Sequence, residues 1–195
     1  MYNKYYWGEQ DTSVDFCEEK YKEIFWIGEY YNTLSAFLYL LVGGILINTR
    51  ISRLGWGIIV MGVGSILLHG TLRYYGQWVD EMGMLTMTFM GIQYKRPYLK
   101  NYYLFILFIF YLMFAKYFFI FVTLFTLLEG YLIYISLKSK NKWGRLAILF
   151  FVLGIISWGL DKFLCYYTQP YHLHAWWHLL TSLSLLFTGI YLLTD

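Results

Sequence analysis

Seven long apolar runs, separated by short polar punctuation, occupy most of this 195-residue chain: Asn32 to Thr49, Leu54 to Leu72, Gln77 to Tyr94, Asn101 to Ala115, Lys116 to Leu137, Trp143 to Cys165 and His172 to Thr194. A hydrocarbon core about 30 Å thick takes roughly 20 apolar residues per helix, with about 17 as a practical minimum. A helix satisfies its own backbone hydrogen bonds, which lipid cannot do for it. The pattern therefore predicts an all-α integral membrane protein with seven transmembrane helices. The stretch from Asn101 to Leu137 is almost continuously apolar and Lys116 is its one basic interruption. As one helix of about 35 residues it would be near 50 Å long, far more than one bilayer needs, so it reads as two spans. Composition closes off the soluble alternative. Only 14% of the residues are charged and 59% are hydrophobic, against roughly 25% charged in ordinary soluble domains.

Basic residues fall in alternate loops: Arg50 and Arg53; Lys95, Arg96 and Lys100; then Lys138, Lys140, Lys142 and Arg145. By the positive-inside rule these loops are cytoplasmic, which puts the N-terminus on the lumenal or extracytoplasmic side and the C-terminus in the cytoplasm. Residues 1–28 form an acidic, aromatic segment, with Glu9, Asp11, Asp15, Glu18, Glu19 and Glu23 against Lys4, Lys20 and Lys22. It lacks the charge pattern of a signal peptide, so it is expected to be retained and to pack on the extracytoplasmic helix ends of a single 1–195 membrane domain. The net charge of +3 implies no nucleic-acid partner, because the positive charge sets topology and forms no patch interleaved with base-stacking groups. Cys17 and Cys165 both fall on the extracytoplasmic, oxidising side. Spacing alone leaves two readings open, a bridge closing a very long loop or two unrelated thiols.

Ionisable residues at membrane depth are costly, so each is a candidate for function. His69 ends the second span, with Ser65 four residues before it on the same face; Asp80 opens the third; His174 and His178 lie four apart at the start of the seventh. All five sit near the same membrane face if the topology is right. Taken singly, a histidine near a helix end is more often an interfacial or hydrogen-bonded side chain than a ligand. Converging at one depth, three imidazoles and a water are a ligand set suited to catalytic zinc. Asp80 is then the candidate general base and proton shuttle, or a partner orienting an imidazole or the water, and Ser65 a candidate hydrogen-bond donor to a developing oxyanion.

The motifs Tyr6-Trp7-Gly8, Ser13-Val14-Asp15-Phe16-Cys17-Glu18-Glu19, Glu29 with Asn32-Thr33-Leu34-Ser35, Gly64-Ser65 before His69, Asp80-Glu81, Trp158 with Asp161 and Cys165, and His174-Ala175-Trp176-Trp177-His178 run through nearly the whole chain. In these the chain resembles the alkaline ceramidases, within a wider superfamily of seven-helix membrane hydrolases and receptors. The resemblance implies an intramembrane zinc amidase that cleaves ceramide to a sphingoid base and a fatty acid, with zinc on His69, His174 and His178 and with Asp80 and Ser65 assisting. It implies a membrane lipid and water as partners, no protein partner, and the endoplasmic reticulum or Golgi as location. It also implies a Cys17–Cys165 disulfide and a lumenal calcium ion held by Asp15, the Phe16 carbonyl, Glu18 and Glu29.

The chain departs from that pattern at Lys20, where the family has an Asn-like residue. A lysine offers no lone pair to calcium. Either it turns away, or its ammonium replaces the ion and pairs with the carboxylates. A second departure is Gly83, near a position where a proline is expected, which leaves the third helix straighter. Glu129, in the middle of the fifth span, has no role that the pattern supplies; a lysine partner or a neutral place in a helix interface are both open. Two other functions fit the same residues: hydrolysis of another acylated lipid, such as a phospholipid or a GPI-anchor precursor, and a non-catalytic seven-helix lipid receptor.

Overall fold

The computed structural model describes residues 5–195. Lys4, counted above with the N-terminal charges, lies outside them. Among the described residues all regular structure is helical: α1 Tyr30–Leu46, α2 Ser52–Thr71, α3 Tyr74–Lys95, α4 Asn101–Phe114, α5 Phe118–Ser139, α6 Lys142–Phe163, a single turn α7 Cys165–Thr168 followed by a 3-10 turn Gln169–Tyr171, and α8 Leu173–Thr194. Four of these, α2, α5, α6 and α8, are long and apolar enough to cross a membrane by length and composition, and α1 and α4 are shorter apolar helices. The chain breaks between α4 and α5 over residues 115–117, at the lysine that punctuates the sequence.

Polarity is arranged opposite to that of a soluble protein. Asn32, Ser65, His69, Gln77, Glu81, His174 and His178 are buried, whereas Phe105, Ile106, Ile109, Met113, Leu127 and Leu153 face outward. Of α4, only Tyr111 is buried. Such a surface is stable only where the surrounding solvent is itself apolar.

The helices that carry the polar groups are packed most closely. α1, α2 and α3 succeed one another side by side, α8 contacts α1 and α6, and α5 and α6 touch each other far less. Glycine permits the α2 to α3 approach. A Cβ on Gly64 would lie 2.3 Å from the Asp80 nitrogen, and one on Gly83 would lie 2.5 Å from the Met61 Cα. Gly64 therefore brings the Ser65 turn against the Asp80 backbone, and Gly83 allows the same close approach at Met61.

Residues 5–29 lie across the helix ends and are held by many hydrogen bonds. The Gly28 and Glu29 amides donate to the Gly70 and His69 carbonyls, each at 2.8 Å. Ser13 and Gln77 exchange two bonds, of 2.8 and 2.6 Å. Asp11 accepts from the Tyr74 amide at 2.6 Å and pairs with Arg73 at 2.8 Å. Both Glu18 carboxylate oxygens cap α1, accepting from Tyr31 and Asn32 at 2.7 and 2.9 Å. Cys17 and Cys165 form a disulfide with a Cα separation of 5.3 Å, which resolves the two readings of the cysteines. At the opposite end of the bundle, Lys95 pairs with Asp195 at 2.7 Å and so ties the C-terminus to the basic α3–α4 loop.

Candidate metal centre

His69 comes from the last turn of α2, and His174 and His178 from the first two turns of α8. α1 lies against both helices and brings the three imidazoles together. Their ring centroids are 4.9, 5.0 and 4.7 Å apart, and one nitrogen from each lies within 4.8 Å of the others. The three side chains are 1, 4 and 2% exposed, so water does not compete for them.

The surrounding hydrogen bonds decide which nitrogens remain available. His178 Nδ1 lies 3.0 Å from the Asn32 carbonyl and 2.8 Å from Ser35 Oγ. A carbonyl only accepts, so Nδ1 carries the proton and Nε2 keeps its lone pair. His69 Nδ1 faces Glu29 Oε2 at 2.5 Å, which by the same reasoning leaves the lone pair on Nε2. Among the described residues, His69 Nε2 and His174 Nδ1 are buried without a hydrogen-bond partner. Buried polar nitrogens left unpartnered are costly, and a metal ion is the ligand that three converging imidazoles satisfy together. The donor set fits zinc, which takes three protein ligands and an open fourth position in catalytic sites. His172 takes no part: its backbone is left-handed (φ 48°) just before α8, and its ring stacks on Tyr31.

A cavity of about 400 Å³ adjoins the histidines and is lined, among others, by Ser65, Asp80, Glu129, Trp158, His174 and His178. Ser65 Oγ is 3.5 Å from His178 Nε2. Asp80 lies in the second turn of α3, which begins at Tyr74, three residues before the expected start. The remaining walls are mainly phenylalanine and aliphatic side chains from α5 and α6, with Met61 and Leu68 of α2 and Met84 of α3. Glu129 accepts a hydrogen bond from Thr88 at 2.7 Å. Of the two readings left open for it, this helix-interface contact is the one observed.

The expected calcium ligands also come together, but around a lysine. The Lys20 ammonium donates to the Phe16 carbonyl at 2.6 Å, the Glu18 carbonyl at 3.0 Å and Asp15 Oδ1 at 2.9 Å, and it pairs with Glu29 Oε1. The Glu18 carboxylate points away to its cap on α1. Of the two arrangements open for Lys20, the structure shows the ammonium inside the oxygen cage, paired with the Asp15 and Glu29 carboxylates. Burial alone would lower the Lys20 pKa, but Glu29 and Asp15 more than offset this and raise it. Burial likewise pushes the Glu29 carboxyl up, yet His69 and Lys20 hold it down to about 2. Burial raises the Glu18 carboxyl to about 7 despite the two helix amides that favour its ionised form.

Several contributors escape a reading of the sequence. The Glu29 contact to His69 spans 40 residues and the Ser35 contact to His178 spans 143. Glu81 receives hydrogen bonds from Gln77 at 2.6 Å and Tyr111 at 2.5 Å, which fixes the helical turn that also carries Asp80.

Comparison with known proteins agrees with the motif reading. A family model described as Ceramidase matches residues 8–194. The chain is 26% identical over 220 residues to alkaline ceramidase 3 of Mus musculus, covering 93% of this chain and 82% of that protein. It is 25% identical over 211 residues to alkaline ceramidase 1 of Homo sapiens, covering 90% and 79%. An alkaline ceramidase of Arabidopsis thaliana is 32% identical over 90 residues, covering 41% of this chain and 34% of the plant protein.

Proposed function

The chain belongs to the ceramidase family, and from that premise we propose that it hydrolyses the amide bond of ceramide by zinc-assisted chemistry inside a multi-pass membrane domain. The observation that carries this reading is the buried cluster of His69, His174 and His178, two of them with an unpartnered nitrogen, beside a largely apolar cavity that also holds the Asp80 carboxylate and the Ser65 hydroxyl.

When bound, zinc supplies an acidified water and Lewis acidity toward an amide carbonyl. The protein's own groups do the rest. Asp80, on the cavity wall, takes a proton from the attacking water and returns it to the amine nitrogen as the C–N bond breaks. Ser65 donates a hydrogen bond to the carbonyl oxygen as negative charge develops on it. Glu29 holds the His69 ring and Asn32 with Ser35 holds the His178 ring, so both ligands are set before substrate arrives. The long apolar tails of ceramide match the phenylalanine-rich remainder of the cavity. α5 and α6 both line that cavity and contact each other sparsely, which supports entry of the lipid sideways between them.

Helices α1 to α6 and α8 are read as the seven spans, with residues 5–29 on the extracytoplasmic side and Asp195 in the cytoplasm. The basic loops gathered at one end of the bundle and the disulfide at the other support this orientation. The direct test is metal analysis of the purified protein together with a turnover assay offering ceramide, N-acylethanolamine and phospholipid in competition. The expected result is one zinc per chain and preferential release of sphingoid base from ceramide. A metal-free protein that still turns over ceramide would overturn the zinc reading, and preference for phospholipid would overturn the substrate.

A further inference from the structure

Four oxygens converge on the Lys20 ammonium: Asp15 Oδ1, the Phe16 and Glu18 carbonyls, and Glu29 Oε1. An ammonium has three protons, so this is more acceptors than donors, an arrangement shared with hard cations that collect oxygen ligands. Two of the four are backbone carbonyls from the turn that leads to Lys20 itself. The lysine side chain is 18% exposed and that of Glu29 is fully buried. The other oxygen of Glu29 accepts from His69 Nδ1 at 2.5 Å and from Asn32 Nδ2 at 3.0 Å. One buried carboxylate thus bridges the ammonium to an imidazole of the metal centre.

We propose that Lys20 is a covalently tethered substitute for a divalent cation, and that through Glu29 it positions His69 to retain the catalytic metal. The second half of this inference rests on the metal site of the proposed function, and the first half does not. A fully buried carboxylate without a cationic partner is strongly disfavoured. Removing the ammonium leaves Glu29 Oε1 without its cationic partner, so the carboxylate shifts from this bridging position and His69 loses the acceptor that fixes its ring plane. Loss of such an outer partner typically costs about 10–100-fold in metal affinity. What remains after Lys20→Asn is an oxygen cage with two carboxylates and an added amide oxygen, which a hard cation such as calcium can fill.

The experiment uses the full-length protein in detergent, with zinc affinity by competition against a chromophoric chelator and melting temperature as the two readouts. Wild type is expected to respond to neither millimolar calcium nor a calcium-selective chelator. Lys20→Asn is expected to bind zinc about 10–100-fold more weakly without calcium, and to regain both affinity and melting temperature when calcium is added. Lys22→Ala, two residues along from Lys20, which removes an exposed ion pair with Glu19, is the control that changes neither readout. Wild type that melts higher with calcium, or Lys20→Asn that keeps wild-type zinc affinity in its absence, overturns the proposal. Should Lys20→Asn not fold under either condition, titration of wild type with calcium decides: heat of binding refutes the tethered-cation role, and its absence upholds it. Wild type that binds no zinc would defeat the metal-centre reading and the positioning half, and leave the calcium response to judge the rest.

Discussion

Two polar clusters sit side by side at one end of the bundle, joined by Glu29, and they are finished in opposite ways. Around Lys20, anionic and carbonyl oxygens are matched by a cation that the chain itself supplies. Around His69, His174 and His178, imidazoles point toward one another with donor atoms left over. The first cluster is saturated and reads as structure. The second is short of a partner and reads as a site. The lesson is that clustering of polar residues is a weaker mark of function than unspent valence in a dry place.

Breaking the unsaturated cluster should have the largest effect. His174→Ala removes a donor and is expected to abolish metal retention in elemental analysis. Turnover should fall with it by roughly a thousandfold or more, since a Lewis acid is worth several kcal/mol at the transition state. Asp80→Ala is the next sharpest test, because it separates chemistry from assembly. Zinc content should remain at one per chain while turnover falls on the order of a hundred- to a thousandfold; unchanged turnover would remove Asp80 from the mechanism. Ser65→Ala should lower kcat by about a hundredfold with metal content unaffected, the scale of one lost oxyanion donor.

Away from Lys20 and Glu29, the N-terminal segment that carries the saturated cluster should show its effects in stability instead. Cys17→Ser is expected to cost about 2–4 kcal/mol, seen as a lower melting temperature, because the bridge closes a loop of 148 residues. Mild reduction of the wild-type protein should reproduce the shift. At the bottom of the scale, Glu19→Ala, which removes an exposed carboxylate facing Lys22, should leave melting temperature and turnover as they were. A large loss there would mean that the N-terminal surface does more than cover the helix ends.

Much of this was legible in the sequence, and the reasons are local. Long apolar runs gave the helices, because lipid leaves a backbone few other ways to satisfy itself. Lys116 gave the break that separates α4 from α5. His174 and His178 share a helix face by spacing alone, whereas Lys20 stood out only as a departure from the family pattern. The boundaries were less readable. α1 begins at Tyr30, two residues before the expected Asn32, because a carboxylate from Glu18 caps it from outside the helix. α3 begins at Tyr74, since Leu72 in a left-handed conformation and an extended Arg73 complete the turn between α2 and α3 in two residues. Neither device carries a compositional signal.

The sequence by itself determined the class of fold, the alternation of loop charge and the identities of the metal-ligating candidates, all of which depend on composition and on spacings within one helix. Tertiary structure decided what those residues are to one another. That the Lys20 ammonium enters the oxygen cage, that Glu29 faces both Lys20 and His69, and that Gly64 lets Ser65 and Asp80 share a cavity are consequences of how α1, α2, α3 and α8 pack. Such contacts join residues tens of positions apart, and only the closed bundle fixes their distances.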